Sequence, residues 1–344
     1  MTIDYGEIEA VLGQIMDNPI SFEEMVSNTM EKGVIFSVSE WINILGAVVK
    51  EQFRSNGRMV GYLLLLLLSS AFLSALAKAF RNRQISDMGF YMIFLLLVLI
   101  FMKSFGVCFD LTAEVILELT DFMKVLMPAY LMAAAVGAYQ TTAVVYYEGF
   151  LLLVYYFQKL MEWVLLPGIR AYVLFSMISF LGEADYFTKG REAMKKLILW
   201  ILRAMIAVTG GLQVIQGMIT PAMDEMKHTL FSKGISSLGS IGNVAGNVTD
   251  VILSSGILLK NGIGAAASVI ILSICLIPAV EVICHMVLYQ VLGILAEPIS
   301  DKRILGLLNQ AGEGMGLLVK LLFTVCALFL LTIAMVCVTT RGNL

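Results

Sequence analysis

Glu281 and His285 stand four residues apart, on one face of any helix that carries them, just after Pro278 in a long apolar run. A carboxylate beside an imidazole can relay a proton or line a conduction path. The same pair can equally neutralise itself between packed helices, because an ion surrounded by lipid is costly. Lys260 and Asn261, next to Gly262 and Gly264, divide in the same way, between lining a pore and snorkelling to the membrane interface. Enzymatic constellations are missing from the chain. There is no G-x-x-x-x-G-K-[ST] phosphate loop, no Gly-x-Ser-x-Gly elbow, and His228 and His285 are not in His-Glu-x-x-His spacing. Cys108, Cys275, Cys284, Cys326 and Cys337 form no Cys-x-x-Cys pair and lie in or beside apolar runs, so they read as small hydrophobes. The expectation is a non-enzyme with no metal and no cofactor.

The elements that must position these groups are set by composition. Of 344 residues, 59% are apolar and 14% charged, against roughly 45–50% apolar in soluble proteins. Mean hydropathy is +0.88, and the surplus must face lipid. A net charge of −3 without a basic cluster excludes the electrostatic footprint of a nucleic-acid binder. The fold class is therefore all-α, a polytopic transmembrane helical bundle of about 7–8 spans, with membrane lipid as its first partner.

Residues 1–58 have a different character and read as an amphipathic helical segment outside the cytoplasm. Ile8, Val11, Leu12, Ile15 and Met16 make one helical stripe, Ser21 and Glu24 have capping-box spacing after Pro19, and Trp41, Leu45, Val48 and Val49 make a third stripe. Three short helices at a surface are expected. Met-Thr-Ile-Asp has neither a basic start nor an apolar core, so no signal peptide is read there. Residues 59–344 form the membrane domain.

Its expected spans are Met59–Ala77, Met88–Phe109, Val125–Val144, Phe150–Leu166, Ala171–Leu181, Leu197–Ile219, a run from Ile263 to Ala296, and Met315–Val338. Gln140, Thr141 and Thr142 break the third from the fourth, and Pro278 predicts a kink or two half-helices in the seventh. With the N-terminus outside, the cytoplasmic loops carry Arg81 and Arg83, then Lys189, Arg191, Lys195 and Lys196, then Lys302 and Arg303. Asp110, Glu114, Glu118, Asp121 and Lys124 fall in an outside loop. Lys50, Arg54 and Arg58, at the outer end of the first span, run against this rule.

Between Pro221 and Asn261 glycines accumulate among Ser, Asn and Asp250. Residues 218–262 read as an interfacial or re-entrant region, since such backbone survives at membrane depth only against protein or trapped water. The Gly242/Gly246 and Gly312/Gly316 pairs have small-xxx-small spacing, which signals close helix packing.

From Asp250 to Gly264 the chain resembles the stage III sporulation protein AE family, a polytopic membrane component encoded in the stage III A operon of endospore-forming bacteria. The likeness rests on Asp250, Ser254, Lys260, Asn261, Ile263 and Gly264, on V-I-Q-G with Gln216, on I-P-A around Pro278, on Tyr289 and Gln290, on Pro298, and on Leu308 and Asn309. It implies residence in the mother-cell (outer forespore) membrane and a share in a transenvelope channel that joins mother cell and forespore. The partners it implies are a separate ATPase, ring-forming subunits of the same operon, and stage II sporulation protein Q on the forespore side.

The leading expectation is a membrane subunit of that channel, with residues 219–300 nearest the path. The candidate channel-lining or helix-packing positions are Gln216, Asp250, Ser254, Lys260, Asn261, Gly264, Pro278, Glu281, His285 and Gln290. Two alternatives stand: an autonomous secondary transporter of a small solute, binding at broken helices, and a non-conducting scaffold.

Overall fold

A computed structural model describes residues 5–15, 21–32, 38–80, 83–136, 149, 152–180, 188–236, 240–298 and 300–339, with side chains described outside 30–41, 73–87, 90, 131, 134–136, 213–257, 260 and 335–339. Among the described residues there is no strand. The helices in order are α1 (Gly6–Ile15), α2 (Phe22–Lys32), α3 (Val38–Phe80), α4 (Arg83–Val136), α5 (Leu152–Ser179), α6 (Thr188–Ser236), α7 (Ser240–Ala296) and α8 (Lys302–Thr339).

The two short helices follow their stripes. Ile8 and Leu12 of α1 are buried, with Val11 and Ile15 packed beside them, while Met16 lies outside the described residues. Helix α2 starts after Ser21, whose hydroxyl donates to Glu9 Oε1 at 2.6 Å, and Phe22 meets the Tyr5 ring at 5.4 Å. Burial, reinforced by the Glu23 charge, pushes the Tyr5 hydroxyl above the usual tyrosine range.

Among the described residues, four stretches are long and apolar enough to cross a membrane: Tyr91–Tyr130, Leu152–Ser179, Asn261–Ala296 and Lys302–Ala334. Exposed apolar residues cover them, including Met92 and Leu99 on α4, Tyr156 and Trp163 on α5, and Ile294 on α7. That surface suits acyl chains. This is a membrane protein.

The expected spans are redistributed. The third surface helix and the first span are one helix, α3, which passes residue 58 without a break. Met88–Phe109 and the start of Val125–Val144 are also one helix, α4, so the acidic outside loop is corrected to helix. The reason lies in its period: Thr112, Val115, Ile116, Leu119, Phe122 and Met123 are buried at helical spacing while Asp110, Glu114 and Asp121 point outward. Residues 137–148, with Gln140, Thr141 and Thr142, lie outside the described residues.

Phe150–Leu166 and Ala171–Leu181 merge in α5 through a π turn, Met161–Leu165, in which the Leu166 N–H reaches the Met161 carbonyl. Pro167 has no N–H to give Trp163, so the helix widens and continues. Pro278 likewise sits inside continuous helix, which corrects the two half-helices expected there. Residues 218–236 and 240–262 of the glycine-rich stretch are helical backbone. These mergers leave six long helices among the described residues, α3 to α8.

Helices α7 and α8 form an antiparallel pair. A Cβ on Gly312 would stand 3.1 Å from Gln290 Cγ, one on Gly316 would stand 3.4 Å from Met286 Sδ, and Cys275 Sγ donates to the Leu322 carbonyl at 3.4 Å. The Gly312/Gly316 spacing therefore does bring two helices close. Gly242 and Gly246 lie outside the residues whose packing is described. The four described cysteines, Cys108, Cys275, Cys284 and Cys326, are buried free thiols.

Helix α4 runs parallel to α8. Phe105 lies beside Gly314 at one level, and the Tyr130 hydroxyl donates to the Ile333 carbonyl at 3.2 Å further along. A Cβ on Gly314 would fall 2.6 Å from Val173 Cγ2, so α4, α5 and α8 converge there because the residue has no side chain. Phe180 packs on Gly306, and Arg191 donates to Ser179 Oγ at 3.2 Å. The end of α5 and the starts of α6 and α8 thus share one end of the bundle, the end that carries Lys189, Lys302 and Arg303.

Candidate functional site

The sequence candidates fall into two groups that the fold keeps apart. Glu281, His285 and Gln290 lie in the half of α7 nearest α8's start, whereas Asn261 and Gly264 lie about 30 Å away along the helix. Gly264 is buried, and its carbonyl accepts from Ser268 Oγ at 2.7 Å; Asn261 is exposed. Gln290 is exposed, and its Cγ lies against Gly312 of α8. Pro278 is half-buried, one turn before Glu281. Side chains of Gln216, Asp250, Ser254 and Lys260 lie outside the described residues.

Glu281 is half-buried and finds its partner on α3: Gln52 Nε2 donates to Glu281 Oε1. Asn56 Nδ2 donates in turn to Gln52 Oε1 at 3.2 Å. His285 is buried, and its Nδ1 lies 3.1 Å from the backbone carbonyl of Glu281 rather than from the carboxylate. That geometry suits a donated N–H. Nearby, the hydroxyls of Ser104 and Tyr289 are buried, and the Tyr289 ring meets Phe101 edge-on at 5.3 Å.

A second polar cluster joins three helices and contains none of the residues singled out for chemistry. Lys195 Nζ of α6 donates to Glu313 Oε2 of α8 at 2.8 Å, and the Tyr172 hydroxyl of α5 lies 2.9 Å from the same oxygen. Gln310 Oε1 stands 3.0 Å from that hydroxyl. One O–H cannot donate twice, so with Tyr172 donating to the carboxylate, the Gln310 amide must present its NH2 to the Tyr172 oxygen. Lys195, expected in a cytoplasmic loop, instead lies within α6 and turns inward to an acid.

A third feature concerns depth. Gln52 touches Glu281, so the Lys50–Arg58 stretch of α3 lies beside the middle of the Asn261–Ala296 span. The cations that ran against the loop rule are thus on a helix at membrane depth. Between the contacts at Gly314 and Ile333, Asp110 to Asp121 of α4 runs alongside the apolar span of α8. At this depth α3 exposes Lys50, Arg54 and Arg58, and α4 exposes Asp110, Glu114 and Asp121 with Lys124, which bridges Asp121 at 2.9 Å. Helices α5 and α6 expose Tyr156, Trp163, Ile206 and Val208, with Arg170 and Arg203 as exposed cations among them. Exposed charges are most numerous on α3 and α4.

Comparison with known proteins agrees with the likeness read from Asp250 to Gly264. A sequence profile of the family described as "Stage III sporulation protein AE" matches residues 20–340. This chain belongs to the stage III sporulation protein AE family. "Stage III sporulation protein AE" of Bacillus subtilis (strain 168) is 22% identical over 311 residues, covering 90% of this chain and 77% of that protein. No solved structure matches the chain. Family membership assigns the protein to sporulation and to the stage III A system. The matched region takes in all of α2 to α8, so the charged stretches of α3 and α4 and both polar clusters lie within it.

Proposed function

We propose that this chain is a non-enzymatic membrane subunit of a transenvelope channel between mother cell and forespore, and that the charged side of α3 and α4 faces the water-filled path of the assembly. Exposed carboxylates and cations at membrane depth, most numerous on α3 and α4, carry this reading. An ionised side chain at that depth must meet water, protein or an opposite charge. A ring or cluster of copies that turns this side inward supplies the water and leaves α5 and α6 to the lipid.

The partners proposed with it come from the family likeness: a separate ATPase as energy source, ring-forming subunits of the same operon between the membranes, and the stage II sporulation protein Q complex on the forespore side. The location proposed is the mother-cell (outer forespore) membrane. Helical residues Gln216, Asp250, Ser254 and Lys260 stay candidates for the same path.

Single cysteines at Asp110, Glu114 and Asp121, in a chain otherwise free of cysteine, test the proposal in sporulating cells. A membrane-impermeant thiol reagent is expected to label all three in the assembled complex, and Trp163→Cys on α5 is expected to stay protected. Protection of all three acidic positions, with sporulation intact, would favour a scaffold that conducts nothing. Asp110→Leu combined with Glu114→Leu is expected to lower spore yield at least tenfold while the chain still accumulates in the membrane.

A further inference from the structure

The outer face of α6 carries a shallow groove of about 520 Å³, lined by Lys196, Trp200 and Arg203 with Ala193, Leu197 and Leu199. Its cations differ from their neighbours in having nothing to bind. Lys195 is committed to Glu313, and Arg191 to Ser179 and the Phe180 ring, both turned into the bundle. Lys196 and Arg203 are exposed and make no hydrogen bond or ion pair with the described protein. Glu192, one turn toward the helix start, is exposed too, yet no ion pair joins it to Lys196.

Arg203 lies 12 residues beyond Arg191, about 18 Å along the helix. It is flanked by exposed Trp200, Ile206 and Val208, so its surroundings are apolar. A guanidinium there needs an anion, because lipid tails offer none and an unpaired charge at that depth is costly. Helical side chains lean toward the helix N-terminus. Arg203 therefore reaches back across Trp200 toward Lys196, which is how both come to line one groove.

From this geometry we infer that the groove on α6 holds the phosphate headgroup of an anionic phospholipid from the leaflet at the basic end of the bundle. Lys196 and Arg203 grip the phosphate from below and above. Trp200 sits at headgroup level, where its amphipathic ring is favoured. The acyl chains run on along the exposed Ala207 and Gly211 beyond Arg203 on the same face, with Ile206 and Val208 on its two flanks. A basic pocket beside apolar surface at the basic end of the bundle has the chemistry for such headgroups.

Native mass spectrometry of the full chain in detergent, titrated with phosphatidylglycerol, tests this. With each cation worth about a fivefold gain near an anionic surface, Lys196→Gln with Arg203→Gln is expected to weaken binding about 30-fold. Lys189→Gln is expected to bind as the parent does, and Arg203→Lys to keep most of the affinity, which separates loss of the site from loss of the fold. Equal binding of phosphatidylcholine, displacement of the lipid by millimolar inorganic phosphate, or full affinity in the double variant would each overturn the assignment. A photoreactive benzoylphenylalanine replacing Trp200 in cells is expected to capture lipid. Capture of a protein there would overturn it in favour of a subunit interface.

Discussion

The two polar clusters of the bundle are built in opposite ways. Around Glu281, one helix supplies the carboxylate and the imidazole, and a single amide from α3 completes the set. Around Glu313, α5 supplies Tyr172, α6 supplies Lys195 and α8 supplies Gln310 with the one carboxylate of the set. The first can lose a partner and keep its helix positions. The second holds α5, α6 and α8 together, so losing its acid strands a lysine and a tyrosine on two separate helices.

The contrast predicts a ranking of effects. Glu313→Leu is expected to destabilise the chain most, by about 2–3 kcal/mol, because it takes the charged acceptor from the buried Tyr172 hydroxyl, the partly exposed Lys195 pair adding less than about 1 kcal/mol. Chemical unfolding in detergent measures it, and a loss no larger than that of Glu281→Leu would erase the distinction drawn here. Gly314→Val follows, at about 2 kcal/mol, since its side chain must displace Val173 where three helices meet. Gln52→Leu comes next, at about 1 kcal/mol, the worth of one amide bond to the Glu281 carboxylate.

The smallest effect is the most discriminating. His285 bonds to the backbone carbonyl of residue 281, which survives replacement of the Glu281 side chain. A double-mutant cycle of Glu281→Gln with His285→Leu should therefore show coupling below about 0.5 kcal/mol. The same cycle on Lys195→Met and Glu313→Gln should show coupling above about 1 kcal/mol. Strong coupling of Glu281 to His285 would revive a proton relay between them.

Much of this molecule could be read before it was seen. The stripe at Ile8, Leu12 and Ile15 and the Ser21/Glu24 spacing placed α1 and α2, because those signals are local. Apolar runs marked the long helices, although charge was mistaken for their ends. Asp110 to Lys124 looks like a loop to any measure that averages hydropathy, yet its buried positions keep helical period. Proline misled in the same direction at Pro278, since neighbouring helices absorb what one chain segment loses. The Glu281–His285 pair was visible because its members share a helix. Tyr172, Lys195 and Glu313 were not, because their spacing in sequence records nothing about a meeting across three helices.

The widened turn at Met161–Leu165 sets the azimuth of everything that follows it in α5. Each residue added to a helix swings the remainder by about 100°. Removing one residue from this turn, so that it closes to ordinary α-helix, would rotate Leu166–Ser179 by that angle and carry the Tyr172 hydroxyl away from Glu313. The bulge acts as a vernier between an outer half that meets lipid through Tyr155 and Tyr156 and an inner half that docks on α8.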